Sequence, residues 1–306
     1  MLVIVAPGQG AQTPEFLRPW LELPGVADHL AWWSAVTGHD LVRYGTTADA
    51  DEIRDTAVAQ PLLVSAGLAA ASALDVTPDV AAGHSVGELV AAALSGVLSP
   101  EAALVFVRER GRAMAEAAAV TETGMTAVLG GDPDDVLAAL DKHGLTPANI
   151  NGAGQVVAAG TMAQLAAFAD DPPAQARLRP LSVAGAFHTE HMAPAVDTLR
   201  RIAPGMPVAD PRTKLLSNKD GAVVTSGMDY LDRLVGQVSA PIRWDACMTS
   251  MTELGVTAII ELPPAGTLTG LARRALPDVE RLALKTPDDL DKARELIAAH
   301  TQEDKA

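Results

Sequence analysis

Cysteine, aromatic rings and positive charge are all scarce in this sequence. Its one cysteine, Cys247, cannot form an internal disulfide, and no Cys/His cluster has the spacing of a zinc site. Four Phe, four Trp and two Tyr among 306 residues leave few platforms for stacking bases. Lys and Arg number 23 against 38 Asp and Glu, a net charge of −15 that repels a phosphate backbone. Nucleic acid is therefore a poor partner. Long apolar runs are missing too: residues 62–74 and 89–98 are the most apolar stretches, and both are shorter than the ~20 residues of a membrane span. The first six residues carry no basic segment and meet Pro7-Gly8 directly, which reads as a strand and not a signal peptide. The expectation is a soluble cytoplasmic protein with no membrane partner. With 48% apolar and 20% charged residues, the composition is globular. The length allows one large domain or two ordinary ones.

The apolar run Leu2–Ala6 predicts a buried strand, and residues 79–83 predict another. Ser99-Pro100-Glu101 is a helix start, with a cap, a proline at the first helical position and an acid in the first turn. The helix after it carries Leu104, Val107, Gly111, Met114 and Ala118 on one stripe. From residue 124 to 186 the pattern changes. Strands are predicted at 125–129, 147–151, 155–160 and 178–183, with helices capped by Asp132 and Thr161 between them. That β-α-β-β-α-β order is the ferredoxin-like pattern. It divides the chain into a small inserted subdomain, 124–186, and a main α/β domain made of 1–123 and 187–306. Thr286-Pro287-Asp288-Asp289 starts the last helix, and the polar residues 301–306 read as a frayed end.

The sharpest motif is Gly83-His84-Ser85-Val86-Gly87-Glu88. It fits G-x-S-x-G between a strand and an apolar helix, the setting of a nucleophile elbow. Glycines permit the strained turn, and the helix N-terminus favours negative charge developing at the serine. A serine nucleophile needs a base. His84 adjoins Ser85 in sequence and is badly placed for that task. His188 follows a strand-like segment, 181–187, where the small subdomain rejoins the main one. On spacing alone, a buried, hydrogen-bonded core histidine is the favoured reading of it. No acid between Ser85 and His188 stands in a catalytic motif, so a backbone carbonyl is a candidate for orienting the imidazole. Arg108 and Arg110 flank the helical stripe on either side, and periodicity does not choose between them.

Five segments occur in order: Pro7-Gly8-Gln9-Gly10-Ala11-Gln12, the Gly83–Glu88 elbow, Arg110-Gly111, Gly185-Ala186-Phe187-His188, and Gln237 ahead of Pro241-Ile242-Arg243-Trp244. Together they resemble the malonyl-CoA:acyl carrier protein transacylases and the acyltransferase domains of polyketide synthases, over nearly the whole chain. One departure is Leu262-Pro263-Pro264, where that family tends to have Gly-Pro. The resemblance implies an α/β-hydrolase-like domain with an inserted ferredoxin-like subdomain and the active site between them. It implies Ser85 as nucleophile, His188 as base, the Gln237 backbone carbonyl orienting that base, and backbone N–H groups of Gln9 and Val86 as oxyanion donors. Arg110 would bind the malonyl carboxylate, and Phe187 would favour malonyl over bulkier extender groups. Gln60 and Asn151 match polar positions lining the family's site. The implied partners are malonyl-CoA and an acyl carrier protein, with no cofactor or metal, and the family favours a monomer.

Two rivals share parts of this reading. A serine hydrolase would use the same elbow and histidine but would not need Arg110. A non-catalytic docking protein with this fold would tolerate loss of Ser85 or His188.

Overall fold

Alternation along the first strand sets the layering. Leu2 and Ile4 join the cluster built on the helices Thr56–Leu74 and Pro100–Ala118, while Val3 and Val5 join the one containing Trp244, Met248, Leu268 and Leu271. Opposite faces of one strand thus bury against different helices, the pattern of a parallel sheet covered on both sides. The computed structural model describes residues 1–183 and 185–300; the end expected to fray, 301–306, lies outside the described residues.

Eleven strands occur among the described residues: β1 (Leu2–Ala6), β2 (Val80–Gly83), β3 (Thr123–Gly130), β4 (Thr146–Gly152), β5 (Gln155–Thr161), β6 (Ala176–Pro180), β7 (Lys214–Leu216), β8 (Val223–Val224), β9 (Ile242–Arg243), β10 (Ala258–Glu261) and β11 (Glu280–Ala283). The larger sheet has the order β11-β10-β1-β2-β7-β8, parallel except for β8 at the edge. The other sheet has the order β6-β3-β5-β4-β9. Its first four strands are antiparallel, and β9 adds in parallel beside β4.

The helices Pro133–Lys142 and Met162–Asp170 cover one face of this second sheet through Val136, Leu140, Leu165 and Phe168. Asp132 caps the first helix, accepting from the N–H groups of Asp134 and Asp135, and Thr161 with Gln164 forms a capping box on the second. On the other face Met125, Ala127, Val157 and Ala159 join the main core. The two sheets therefore share apolar contacts.

Two expectations need correction. The strand read at 178–183 is β6, Ala176–Pro180, and the described residues of 181–187 are not in a strand. Pro180 has no N–H to extend the ladder. Leu181 makes one more bond, to the Met125 carbonyl at 2.9 Å, and Val183 then turns its N–H onto the Leu181 carbonyl. The apolar run 62–74 belongs to a longer helix, Thr56–Leu74, which begins where Asp55 accepts from the Ala57 N–H at 2.8 Å. Among the described residues it is the one helix long and apolar enough to cross a membrane, and most of it is buried in the core.

Candidate active site

Sterics fix the turn after β2. A Cβ on Gly83 would lie 2.0 Å from the Gly87 carbonyl carbon, and one on Gly87 would lie 2.2 Å from the Ala6 carbonyl oxygen. Only glycine fits either position. Between them Ser85 takes φ +53°, a left-handed conformation unusual for a side-chain-bearing residue. Asn218 straps the turn from outside: its Oδ1 accepts from the Ser85 N–H at 2.8 Å, and its Nδ2 donates to the Gly83 carbonyl at 2.7 Å.

The serine Oγ lies 2.8 Å from His188 Nε2. On the far side of the ring, Nδ1 lies 2.8 Å from the Gln237 carbonyl oxygen. A carbonyl can only accept, so Nδ1 carries the proton and Nε2 presents its lone pair to the serine hydroxyl. Burial, reinforced by nearby Arg110, pushes the imidazole pKa down to about 3. The ring is therefore neutral at pH 7. His188 itself takes φ +62°, with its N–H bonded to the Val238 carbonyl at 3.0 Å.

Arg110 is 1% exposed. Its Nη2 lies 3.4 Å from Ser85 Oγ and donates to Gln237 Oε1 at 2.7 Å, while Nη1 donates to Gln60 Oε1 at 2.6 Å. Arg108 is half-exposed and pairs with Glu109. The choice that periodicity left open is thus made by the fold, since only Arg110 reaches the serine. Burial pulls the Arg110 pKa down to about 10, with Glu88 opposing, and the group stays cationic at neutral pH.

Beside Ser85 is a cavity of about 70 Å³ lined by Gln9, Val86, Arg110, His188, Phe187 and Gln60 among others. Seven of the nine residues singled out from the sequence line it or, in the case of Ser85, open onto it. Gln237 acts from behind, through His188 and Arg110. The Ser85 N–H is engaged by Asn218 and is not offered to the cavity. Asn151 is placed differently: its Oδ1 meets His84 Nε2 at 2.9 Å, and both residues line a larger cleft of about 540 Å³ between the sheets. Gln9, His84, Asn149, Leu181 and Val183 belong to both walls, so the small cavity opens into this cleft.

Three contributors were not foreseen. Glu88, the last residue of the elbow motif, is buried; its Oε1 accepts from the Asn218 N–H at 2.6 Å, and its Oε2 accepts from Gln237 Nε2. Desolvation pushes its carboxyl up to about 8. Asn218 and the side chain of Gln237 complete this network. A motif position alone does not reveal a partner 130 residues away.

The profile of the family described as "Acyl transferase domain" matches residues 27–299. The chain belongs to this acyl transferase family. Among its acyl transferase relatives, the malonyl CoA-acyl carrier protein transacylase of Mycobacterium tuberculosis (strain ATCC 25618 / H37Rv) is 51% identical over 305 residues, covering 97% of this chain and 100% of that one. A crystal structure of MCAT from Mycobacterium tuberculosis superposes with a TM-score of 0.93, covering 96% of this chain and 99% of that one at 51% identity. A type II polyketide-synthase acyl carrier protein complexed with its malonyl-transacylase matches through the transacylase with a TM-score of 0.91, 30% identity and coverage of 96% and 99%.

Proposed function

We propose that this acyl transferase moves a malonyl group from malonyl-CoA to Ser85 and then to the phosphopantetheine thiol of an acyl carrier protein, in fatty acid or polyketide synthesis. The observation that carries the reading is a buried guanidinium 3.4 Å from the serine Oγ. A cation beside a nucleophile serves an acyl group that bears its own carboxylate, and the planar Arg pairs with it through two parallel N–H donors. The names of the relatives point to the same donor and acceptor.

In the first half-reaction His188 Nε2 takes the Ser85 proton as Oγ attacks the thioester carbonyl. The oxyanion forms toward the Gln9 and Val86 N–H groups. Collapse breaks the C–S bond, and His188 returns the proton to the departing CoA thiolate. The second half-reaction runs this sequence in reverse with the carrier thiol. Neutral His188 suits both directions, and the Gln237 carbonyl steadies the imidazolium that forms between them. The Phe187 ring beside His188 fills space that an α-methyl group would need.

We also read the molecule as an α/β-hydrolase-like domain, 1–123 and 187–306, with a ferredoxin-like insertion, 124–186. The parallel sheet around the elbow and the β6-β3-β5-β4 order support this division. Intact-mass measurement after mixing with malonyl-CoA tests the function. A malonyl ester on Ser85 that persists until a holo carrier protein discharges it is expected; rapid release of free malonate would point to a hydrolase instead.

A further inference from the structure

The sequence motif ends in an acid that the acyl-transfer steps leave unused. Glu88 lies behind the active site, and one side chain connects it to Arg110. Gln237 Oε1 accepts from Arg110 Nη2 at 2.7 Å, while Gln237 Nε2 donates to Glu88 Oε2. The same Nε2 also faces the Ser85 carbonyl at 3.1 Å and Asn218 Oδ1 at 3.5 Å. Acceptors alone surround that end of the amide, so its orientation is fixed, with the oxygen toward the cation and the nitrogen toward the anion. Each Glu88 oxygen receives an N–H, from Asn218 and from Gln237, a donor set suited to an ionised carboxylate.

The other titratable groups facing Glu88 do not compete for its charge. From the helix Gly227–Gln237, Tyr230 donates its hydroxyl to the Glu88 backbone carbonyl at 3.4 Å, and burial keeps the phenol neutral. From the helix Trp244–Glu253, the Cys247 thiol is likewise pushed up and stays neutral. From the helix Pro100–Ala118, Arg110 is the cation. His188, which packs against Arg110, is neutral. The empty site therefore holds one buried positive charge and one buried carboxyl poised to balance it.

A malonyl group brings a second carboxylate to the same guanidinium. Two anions around one buried cation raise the proton affinity of the less well-paired carboxyl. The substrate carboxylate contacts Arg110 directly, whereas Glu88 reaches it through an amide. We propose that Glu88, in its ionised form, is the counter-ion of Arg110, and that an acyl group bearing a carboxylate pairs with that guanidinium only when Glu88 holds a proton, drawn from solvent where the carboxyl is ionised. This rests on the malonyl reading of the site. The proton is separate from the one His188 passes from Ser85 to the thiolate, so an acyl group without a carboxylate draws none.

The test compares malonyl-CoA and acetyl-CoA acylation of the whole enzyme between pH 7 and pH 9. With one linked proton and a carboxyl near neutrality, the malonyl-to-acetyl ratio of kcat/KM should fall about tenfold over that range. In Glu88→Gln, which keeps an acceptor for the Asn218 N–H but cannot titrate, the ratio should be flat. A purely structural Glu88 would change rates without changing that slope. Wild-type proton uptake is measured independently, with an indicator dye in weak buffer at pH 8.5–9. Malonylation should draw up to one proton per site beyond acetylation, which removes any reliance on the folding of the variant. A flat wild-type ratio, equal uptake for both donors, or the same slope in Glu88→Gln overturns the proposal. Failure of the malonyl reading looks different: no malonyl ester on Ser85 at any pH, in which case the linkage fails with it.

Discussion

The backbone carbonyl of Gln237 lies 2.8 Å from His188 Nδ1, in the place where a Ser-His-acid triad has its carboxylate. A neutral acceptor orients the imidazole without adding negative charge beside Arg110, which under the proposed function pairs with the substrate's carboxylate. A carboxylate there would compete with the substrate for the same cation.

Ser85→Ala should abolish the acyl adduct, and His188→Ala should slow acylation by about 10²–10⁴ at neutral pH. Intact mass and stopped-flow acylation measure these. An adduct on another residue in Ser85→Ala would remove the serine from the nucleophile role. No acyl adduct on the wild-type enzyme, with the protein's role in the cell intact in both variants, would instead favour the docking-protein reading.

Arg110→Ala should reduce malonyl transfer far more than acetyl transfer. Removing one partner of a buried charge-assisted pair costs about 2–5 kcal/mol, so the preference should shrink by roughly a hundredfold or more. The measurement is kcat/KM for each donor. Equal losses on both would mark Arg110 as a structural prop for Gln60 and Gln237.

Because His188 is held down to about 3 by burial, its neutral form persists well below the ordinary imidazole range. Acylation kcat/KM for acetyl-CoA should be flat from pH 7 to pH 5, with no inflection near 6.5. The same depression has a stability consequence. The unfolded chain takes up this proton near 6.5 and the folded chain does not, so this residue's contribution is present above 6.5 and is lost as pH falls toward 3. An activity drop centred at 6.5 would contradict the burial argument.

Phe187→Ser should raise methylmalonyl loading relative to malonyl by about tenfold, since a methyl group in a pocket is worth ~1–3 kcal/mol. Competition between the two CoA esters, read as two acyl-enzyme masses, decides it. An unchanged ratio would assign Phe187 to packing alone.

Gly87→Ala should destabilise the fold by at least about 3 kcal/mol, because its Cβ would meet the Ala6 carbonyl at 2.2 Å and neither backbone can yield. Chemical denaturation measures the loss. A near-neutral value would show that the turn relaxes more freely than its packing implies.

The elbow was legible because its information is local: two glycines, a serine, an apolar strand before and a helix after. Four strands of the small sheet were legible for the same reason, apart from the end of β6; the fifth, β9, comes from outside 124–186 and was not read as a strand. There Pro180 stops the ladder while the sequence still reads as apolar and extended. Arg110 and Arg108 were indistinguishable by period, since a helix face does not declare what packs on it. Gln237 was found only through resemblance, because a backbone carbonyl has no side-chain signature. Glu88 and Asn218 stayed hidden because their partners lie far away in sequence and meet them only in the folded core.

Parallel pairing of β9 with β4 hydrogen-bonds a strand from the chain just beyond Gln237 into the smaller sheet. Asn149 is thereby registered against Ile242 a few residues beyond Gln237, and the two walls of the cleft are tied together near the base-orienting carbonyl. Swinging the walls apart would break that ladder and disturb His188. Under the proposed function both thiols are expected to reach Ser85 through this cleft, so the CoA thiol should vacate it before the carrier's pantetheine arm enters. Excess of either partner should then inhibit the other competitively, with order imposed by occupancy and without a moving lid.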